Sequence, residues 1–242
     1  MVRTLLVRGM LVGLLAGVLG FVFAYLVGEP PVDAAIAIEE SAAAAAGGAS
    51  GDEPEVVSRL VQSTLGLLTA LAVFGAALGG IFGLAFAYAQ GRLGRIGPRG
   101  TAAFLAVAGF ISLVLVPQIK YPANPPAVGS PDTIDIRTGL YFTLILLSVV
   151  AALAALAIGR RLVAQYGTWN AALIGGGVYV VAMALAMFVM PTINEVPAEF
   201  APAVLWDFRV ATIGLQVVLW TTLGVAFGLL SSRQTSAASR SG

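Results

Sequence analysis

Six long apolar runs divide the chain: Leu5–Val27, Leu60–Ala89, Thr101–Val116, Leu140–Ile158, Ala171–Met190 and Val210–Leu230. A helix crosses a hydrocarbon layer of roughly 30 Å with about 20 mostly apolar residues, so each run predicts one crossing. The expected fold class is all-α: a polytopic membrane protein of six transmembrane helices in three hairpins. The second run is long enough to tilt or to project beyond the bilayer. The third is short and is expected to stop at Pro117, because proline ends a helix. Residues 1–232 are expected to form one six-helix membrane domain. It carries a flexible outer linker at 41–51 (SAAAAAGGASG), loosened by Gly47, Gly48 and Gly51. Residues 233–242 read as a disordered cytoplasmic tail.

The first run follows Arg3 and Arg8 in the manner of a signal peptide. A signal core, however, is about 7–15 residues and ends in a small-residue cleavage site. Here the run is longer and ends in Tyr25-Leu26-Val27-Gly28-Glu29-Pro30, which reads as a retained first helix.

Charge orients these runs. The N-terminus, 90–100, 159–170 and the C-terminal tail hold nine basic residues and no acid: Arg3, Arg8, Arg92, Arg95, Arg99, Arg160, Arg161, Arg233 and Arg240. The alternate connections, 28–59, 117–137 and 191–209, hold four basic residues and all twelve acids. Short basic loops stay cytoplasmic. The alternation therefore predicts both termini inside, in a multi-pass protein of a bacterial inner membrane; five or seven crossings would break it. Composition agrees. With 59% hydrophobic and 10% charged residues, against about 45–50% and 25% in soluble domains, there is no room for a sizeable soluble domain. The chain has no Cys and no His, so disulfides, thiolate chemistry and imidazole ligands are excluded.

Glycines recur at spacing four: Gly9, Gly13, Gly17; Gly75, Gly79, Gly83; Gly224, Gly228. Such ridges let helix backbones approach closely; the alternative is room for bare carbonyls or a moving helix. No ionisable residue falls in the middle of a run, which argues against a self-contained proton-coupled pump. Gln62, Ser63, Thr64, Thr69, Ser112, Thr143, Ser148, Thr212, Gln216, Thr221 and Thr222 either line a funnel or bond between helices.

The outer acids carry the candidate chemistry. Acidic residues contribute little to topology, so orientation alone does not require them outside. Glu29, Asp33, Glu39, Glu40, Glu195 and Asp207 form a candidate cation vestibule, since a negative rim raises local cation concentration. Residues 29–40 (EPPVDAAIAIEE) read as a short interfacial helix with Asp33 and Glu40 on one face. The alternative is a set of rim ion pairs, such as Glu29 or Asp33 with Arg59, and Glu195 or Asp207 with Arg209. Arg59, Gln62, Arg137, Arg209 and Gln216 are the outer-end polar partners. In 120–129 (KYPANPPAVG), prolines fix an extended backbone. Lys120, Tyr121 and Asn124 there are candidates for a cation path or for a rigid cap. Each odd run ends near a proline and each even one begins at an arginine, a weak signal of a threefold hairpin repeat; helix-ending prolines and interfacial arginines are the simpler account.

Catalysis is not expected. There is no GxxxxGK[ST] phosphate loop, no intramembrane acid pair, and no base near Ser112 or Ser148.

The segments GEPPVDAAIAIEE (28–40), SRLVQSTLG (58–66), GRLG (91–94), KYPANPPAVG (120–129), INEVPAEFAP (193–202) and LWDFR (205–209) resemble those of the CbtA family, putative cobalt transporter subunits. The resemblance covers most of the chain except the Ala/Gly linker and the tail. It implies a membrane subunit for cobalt uptake, associated with cobalamin biosynthesis, with Co²⁺ as cargo and no cofactor. It also implies a small, single-span, histidine-bearing partner of the CbtB type. It supplies no ligand set to carry over, so no specific metal ligand is assignable. Because Co²⁺ binds imidazole well and this chain has none, tight binding is expected on the partner. The other partner is the lipid bilayer; a homo-oligomer is compatible, nucleic acid is not expected. Two further readings stay open: an integral binding component for a small organic nutrient with a separate ATPase, and a non-transporting membrane scaffold.

Overall fold

The computed structural model describes residues 2–45, 57–94 and 96–238. Residues 46–51 of the expected linker, the acids Asp52, Glu53 and Glu55, Arg95, and residues 239–242 of the expected tail lie outside the described residues. The described chain is helical, with no strand. Five long helices are apolar enough to cross a membrane: α1 (Val2–Ala45), α2 (Arg59–Ala89), α3 (Pro98–Lys120), α4 (Ile134–Val189) and α5 (Pro202–Ala238). Their outward faces are apolar: Leu11, Val73, Ile81, Leu146, Phe188 and Val189 are all more than half exposed. Faces of that extent are a liability in water and a requirement in hydrocarbon.

Prolines in two helices do not end them as expected. α1 continues through Pro30 and Pro31 to Ala45, so 29–45 extends the first helix instead of forming a separate interfacial one. α3 likewise continues through Pro117 to Lys120. A proline removes one amide donor and collides with the carbonyl four residues back. In both helices a wider π turn lies just upstream, at Ala24–Gly28 and at Phe110–Leu115. That widening relieves the collision, so the rod persists. The last helix also outruns its expected limits, from Pro202 to Ala238, and takes in the start of the expected tail.

α4 spans 56 residues, about 84 Å if straight at 1.5 Å per residue. It is broken at Gly167 (φ 73°, ψ 167°), a conformation open essentially to glycine alone. Its two arms fold back against each other. A Cβ built on Gly175 would lie 2.9 Å from the Ala155 carbonyl oxygen, and one on Gly159 would lie 3.2 Å from that of Ala171. The expected loop at 159–170 is therefore helix on both sides of a single-residue break.

Contacts group the chain into two compact units, Met1–Phe110 with Pro125–Ala127 and Phe200–Gly242, and Ile111–Asn124 with Val128–Glu199. In the first, α1 and α2 interlock through their glycines: a Cβ on Gly79 would stand 2.7 Å from the Gly13 Cα, and one on Gly83 would stand 2.5 Å from the Leu5 carbonyl oxygen. α5 supplies the buried Leu219, Leu223 and Phe227. The Phe227 ring meets Phe82 at 5.4 Å and Phe86 at 4.9 Å, edge to face. Gly224 and Gly228 bring α5 against Ala106 and Arg99 of α3. Three sequential hairpins would pair the third run with the fourth; in this unit the partner of the third run is the last helix. In the second unit, Val116, Leu144 and Met183 form the core, with Tyr121, Tyr179, Met187 and Met190 packed on it.

Candidate functional site

The site residues fall at two polar helix ends, one in each unit. In the first unit, Arg59 opens α2 and reaches back to α1. Its Nη2 pairs with the Glu29 carboxylate, and its Nε and Nη2 donate to Asp33 Oδ1 at 3.0 and 2.8 Å. Glu29 and Asp33 share one guanidinium because four residues separate them on a continuous helix, which places them on one face. Two carboxylates on one cation leave the cluster net negative. Exposed pairs of this type stabilise by about 0–1 kcal/mol. The Gln62 amide donates to the Val57 carbonyl at 2.7 Å, which ties down the chain ahead of α2. Farther along α1, Glu39 and Glu40 are exposed.

In the second unit the centre is Glu195. It accepts the Ser130 amide at 2.8 Å and lies 3.4 Å from Arg137 Nε, so its ion-pair partner is Arg137, where sequence reasoning offered Arg209. The neighbourhood explains the choice. Ser130 caps the short turn Pro131–Thr133, and Arg137, one turn into α4, also donates to the Ser130 carbonyl at 3.1 Å. Gly129 (φ +119°) lies beneath that guanidinium; a Cβ there would meet Arg137 Cζ at 2.9 Å. The Thr133 hydroxyl and the Ser130 amide hold the Glu195 carboxyl below its ordinary range; partial burial opposes them and Arg137 assists. The Thr133 hydroxyl has a second acceptor in the Ser130 carbonyl at 3.0 Å.

The Lys120–Gly129 segment is tied to the same end. Lys120 Nζ donates to the Thr192 hydroxyl at 2.7 Å and Tyr121 Oη to the Pro191 carbonyl at 2.7 Å. Desolvation pushes the Tyr121 phenol up. These donors tie the start of the loop to Pro191 and Thr192. Asn124 is half-buried within it. On α5, Asp207 is exposed while Arg209 and Gln216 are half-buried.

Most hydroxyls considered as funnel lining turn back onto their own helix. Thr143 donates to Gly139, Thr212 to Phe208 and Thr222 to Val218, each four residues back, and Ser63 and Thr64 both donate to Leu60. Ser148 differs: it is fully buried and shares a 2.8 Å hydrogen bond with Tyr179 of the opposite arm. Tyr179, Ser130 and Thr133 were not singled out from sequence, and Gly129 entered only as the end of the 120–129 segment. The run Gly-Ser-Pro-Asp-Thr at 129–133 carried a readable turn signal. Tyr179 carried none, because its partner is set only by the fold at Gly167. Among the described residues, no group of three or more His, Cys, Asp or Glu side chains is placed to hold a metal ion.

Long apolar helices with apolar exteriors define an integral membrane protein. The chain belongs to the CbtA family: the family model described as "Probable cobalt transporter subunit (CbtA)" matches residues 2–232. It is thus a member of a transporter-subunit family concerned with cobalt. Comparison with curated proteins and with solved structures found no match.

Proposed function

We propose that this chain is the membrane-embedded subunit through which Co²⁺ is taken up, crossing a bacterial inner membrane six times with both ends in the cytoplasm. The observation that carries the reading is the family match across residues 2–232. The break at Gly167 supports six crossings, since each arm of α4 exceeds the roughly 20 residues a crossing needs. The segregation of nine arginines from twelve acids supports the orientation. In this reading residues 1–232 act as one membrane domain.

The outer acids divide by role. Glu29, Asp33 and Glu195 hold helix ends and loops together through Arg59 and Arg137, while the exposed Glu39, Glu40 and Asp207 attract cations. Attraction without a ligand cluster among the described residues suits permeation, because a site must release what it binds. Tight, selective ligation then falls to a small histidine-bearing membrane subunit. The membrane potential is a sufficient drive: a divalent ion moving inward gains about 4.6 kcal/mol per 100 mV.

Proteoliposomes with an inside-negative potential test this with Co²⁺, Ni²⁺, Mg²⁺ and Mn²⁺, with and without the histidine-bearing subunit. Co²⁺ influx should exceed Mg²⁺ influx when both subunits are present. Glu39→Gln/Glu40→Gln/Asp207→Asn should slow Co²⁺ influx severalfold at low ionic strength and little at high salt. No Co²⁺ influx under either condition would refute transport. Influx indifferent to the triple variant would refute the vestibule.

A further inference from the structure

The first unit brings two arginines from different helices to adjacent residues of a third. Arg8 Nη1 of α1 lies 3.4 Å from the Ser231 hydroxyl, and Arg99 Nε in the first turn of α3 donates to the Ser232 hydroxyl at 3.0 Å. Ser232 in turn donates to the Leu229 carbonyl at 3.0 Å, which fixes its oxygen as an acceptor. Backbone contacts pin both arginine-bearing turns. Gly9 packs on Gly79, and Gly228 brings α5 to the Arg99 Cα, 3.3 Å from a Cβ built on that glycine.

Among the described residues no carboxylate pairs with Arg8 or Arg99. This sets them apart from Arg59 and Arg137, which hold acids, and from Arg92, which stacks on the Tyr88 ring at 4.8 Å and donates to its carbonyl. The surrounding segments, 1–28 and 90–100, contain no acid at all. A guanidinium carries five N–H donors, and a single serine contact leaves most of each fork to an anion. The first turn of α3 has no side-chain cap and no acid, so its backbone amides add to the same sign.

We propose that Arg8 and Arg99, positioned by their contacts with Ser231 and Ser232, form a binding site for the phosphate of an anionic phospholipid. Planar guanidinium forks suit phosphate oxygens. The apolar surface beside them favours a lipid over a free ion: Leu11, Val225, Leu229 and Leu230 are large, exposed side chains on the same two helices, suited to lie along acyl chains. Basic groups between helix ends on the cytoplasmic side recognise anionic headgroups by this chemistry. The lipid would join α1, α3 and α5 at one end.

The test uses the full chain in neutral detergent, with thermal unfolding followed after adding phosphatidylglycerol, phosphatidylcholine or inorganic phosphate. Phosphatidylglycerol should raise the midpoint by about 3 °C or more, and phosphatidylcholine should not. Arg8→Gln/Arg99→Gln should weaken the apparent affinity about tenfold. Arg160→Gln/Arg161→Gln, an equal loss of charge in the second unit, should leave it unchanged. If the Arg8/Arg99 double variant does not fold, Arg99→Gln alone gives the reading, since Arg99 is exposed and its replacement opens no cavity. Equal weakening by both double variants would mean diffuse attraction and would overturn the site. Equal protection by inorganic phosphate would overturn the lipid assignment.

Discussion

α1 with α2, and the two arms of α4, are both antiparallel helix pairs in a hydrocarbon setting, yet they are built differently. Along α1 and α2 a glycine recurs at each contact: Gly9, Gly13 and Gly17 against Gly83, Gly79 and Gly75, with Leu71 at the far end. The backbones themselves touch. In α4 close backbone approach occurs near the turn, where Ala155, Gly159, Ala171 and Gly175 meet. Farther away the facing residues are Ser148 with Tyr179 and Leu144 with Met183. Lipid is as apolar as leucine, so helices associate in it through packing and hydrogen bonds. The first pair uses backbone contact all along Leu5 to Gly17 against Leu71 to Gly83. The second uses it at one end and replaces it with large side chains and one polar bond at the other. A pair held by backbone contact cannot accept added atoms, whereas one held by side chains can repack.

The sharpest way to break this comparison is to add one methyl group to each pair. Gly13→Ala would drive a Cβ into the Gly75 carbonyl and to 2.9 Å from the Gly79 Cα, where the neighbours are backbone and cannot rotate away. A loss of about 3 kcal/mol or more is expected, the upper range for overpacking. Gly176→Ala in α4 meets nothing within 4 Å, and should change stability by less than about 1 kcal/mol, in the stabilising direction if helix propensity dominates. Reversible unfolding in mixed detergent micelles measures both. Equal effects would mean that the ridge is not a backbone contact.

Next in size is the fold-back of α4. Gly167→Ala places a Cβ in open space, so only backbone strain acts. About 2 kcal/mol of destabilisation is expected, confined to the second unit as read by hydrogen exchange. No change would mean that the turn adopts another conformation.

These positions also show how much was legible. The glycine ridge could be read because its signal is local, with a period that matches one helix face. Pro30 and Pro117 were read as stops because a proline at a known position predicts a break, while the π turn that absorbs it leaves no mark in the residues. The 159–170 connection was read as a loop from its arginines, although Arg160 and Arg161 continue the helix and one glycine makes the turn. At the polar helix ends, Arg59 with Glu29 or Asp33 was legible as one alternative to a cation vestibule, because a single arginine neighbours those acids, and the structure pairs it with both. Arg137 was not matched to Glu195, since that pair depends on where a proline-rich loop brings residues distant in sequence.

Glu195 tests whether the loop-built end of the second unit behaves as its geometry requires. Its carboxyl is held below the ordinary range, so its contribution is complete above the unfolded value of about 4.3. It is lost as pH falls through the lower folded value. The protection factor of the Ser130 amide should stay level from neutral pH to about pH 5 and fall only below about pH 4. Glu195→Gln should lower that protection at every pH. A fall already complete near pH 6 would show that the carboxylate is not held in its charged form.

The smallest expected effect is the one that separates the two modes of packing most directly. The Ser148–Tyr179 bond joins the arms of α4 where backbone contact has ended. A double-mutant cycle of Ser148→Ala and Tyr179→Phe, measured by unfolding in detergent, isolates it. Interhelical hydrogen bonds in membranes couple by about 0.6 kcal/mol on average and about 1.7 at most. A value at the lower end is expected, because Ser148 can turn its hydroxyl to the carbonyl four residues back, as Thr143, Thr212 and Thr222 already do. Coupling near zero would mean that Leu144 and Met183 alone hold the outer halves of the arms. Coupling above the usual maximum would mean that the buried serine has no alternative partner, and that this end of α4 is fixed as firmly by one polar bond as α1 is by its glycines.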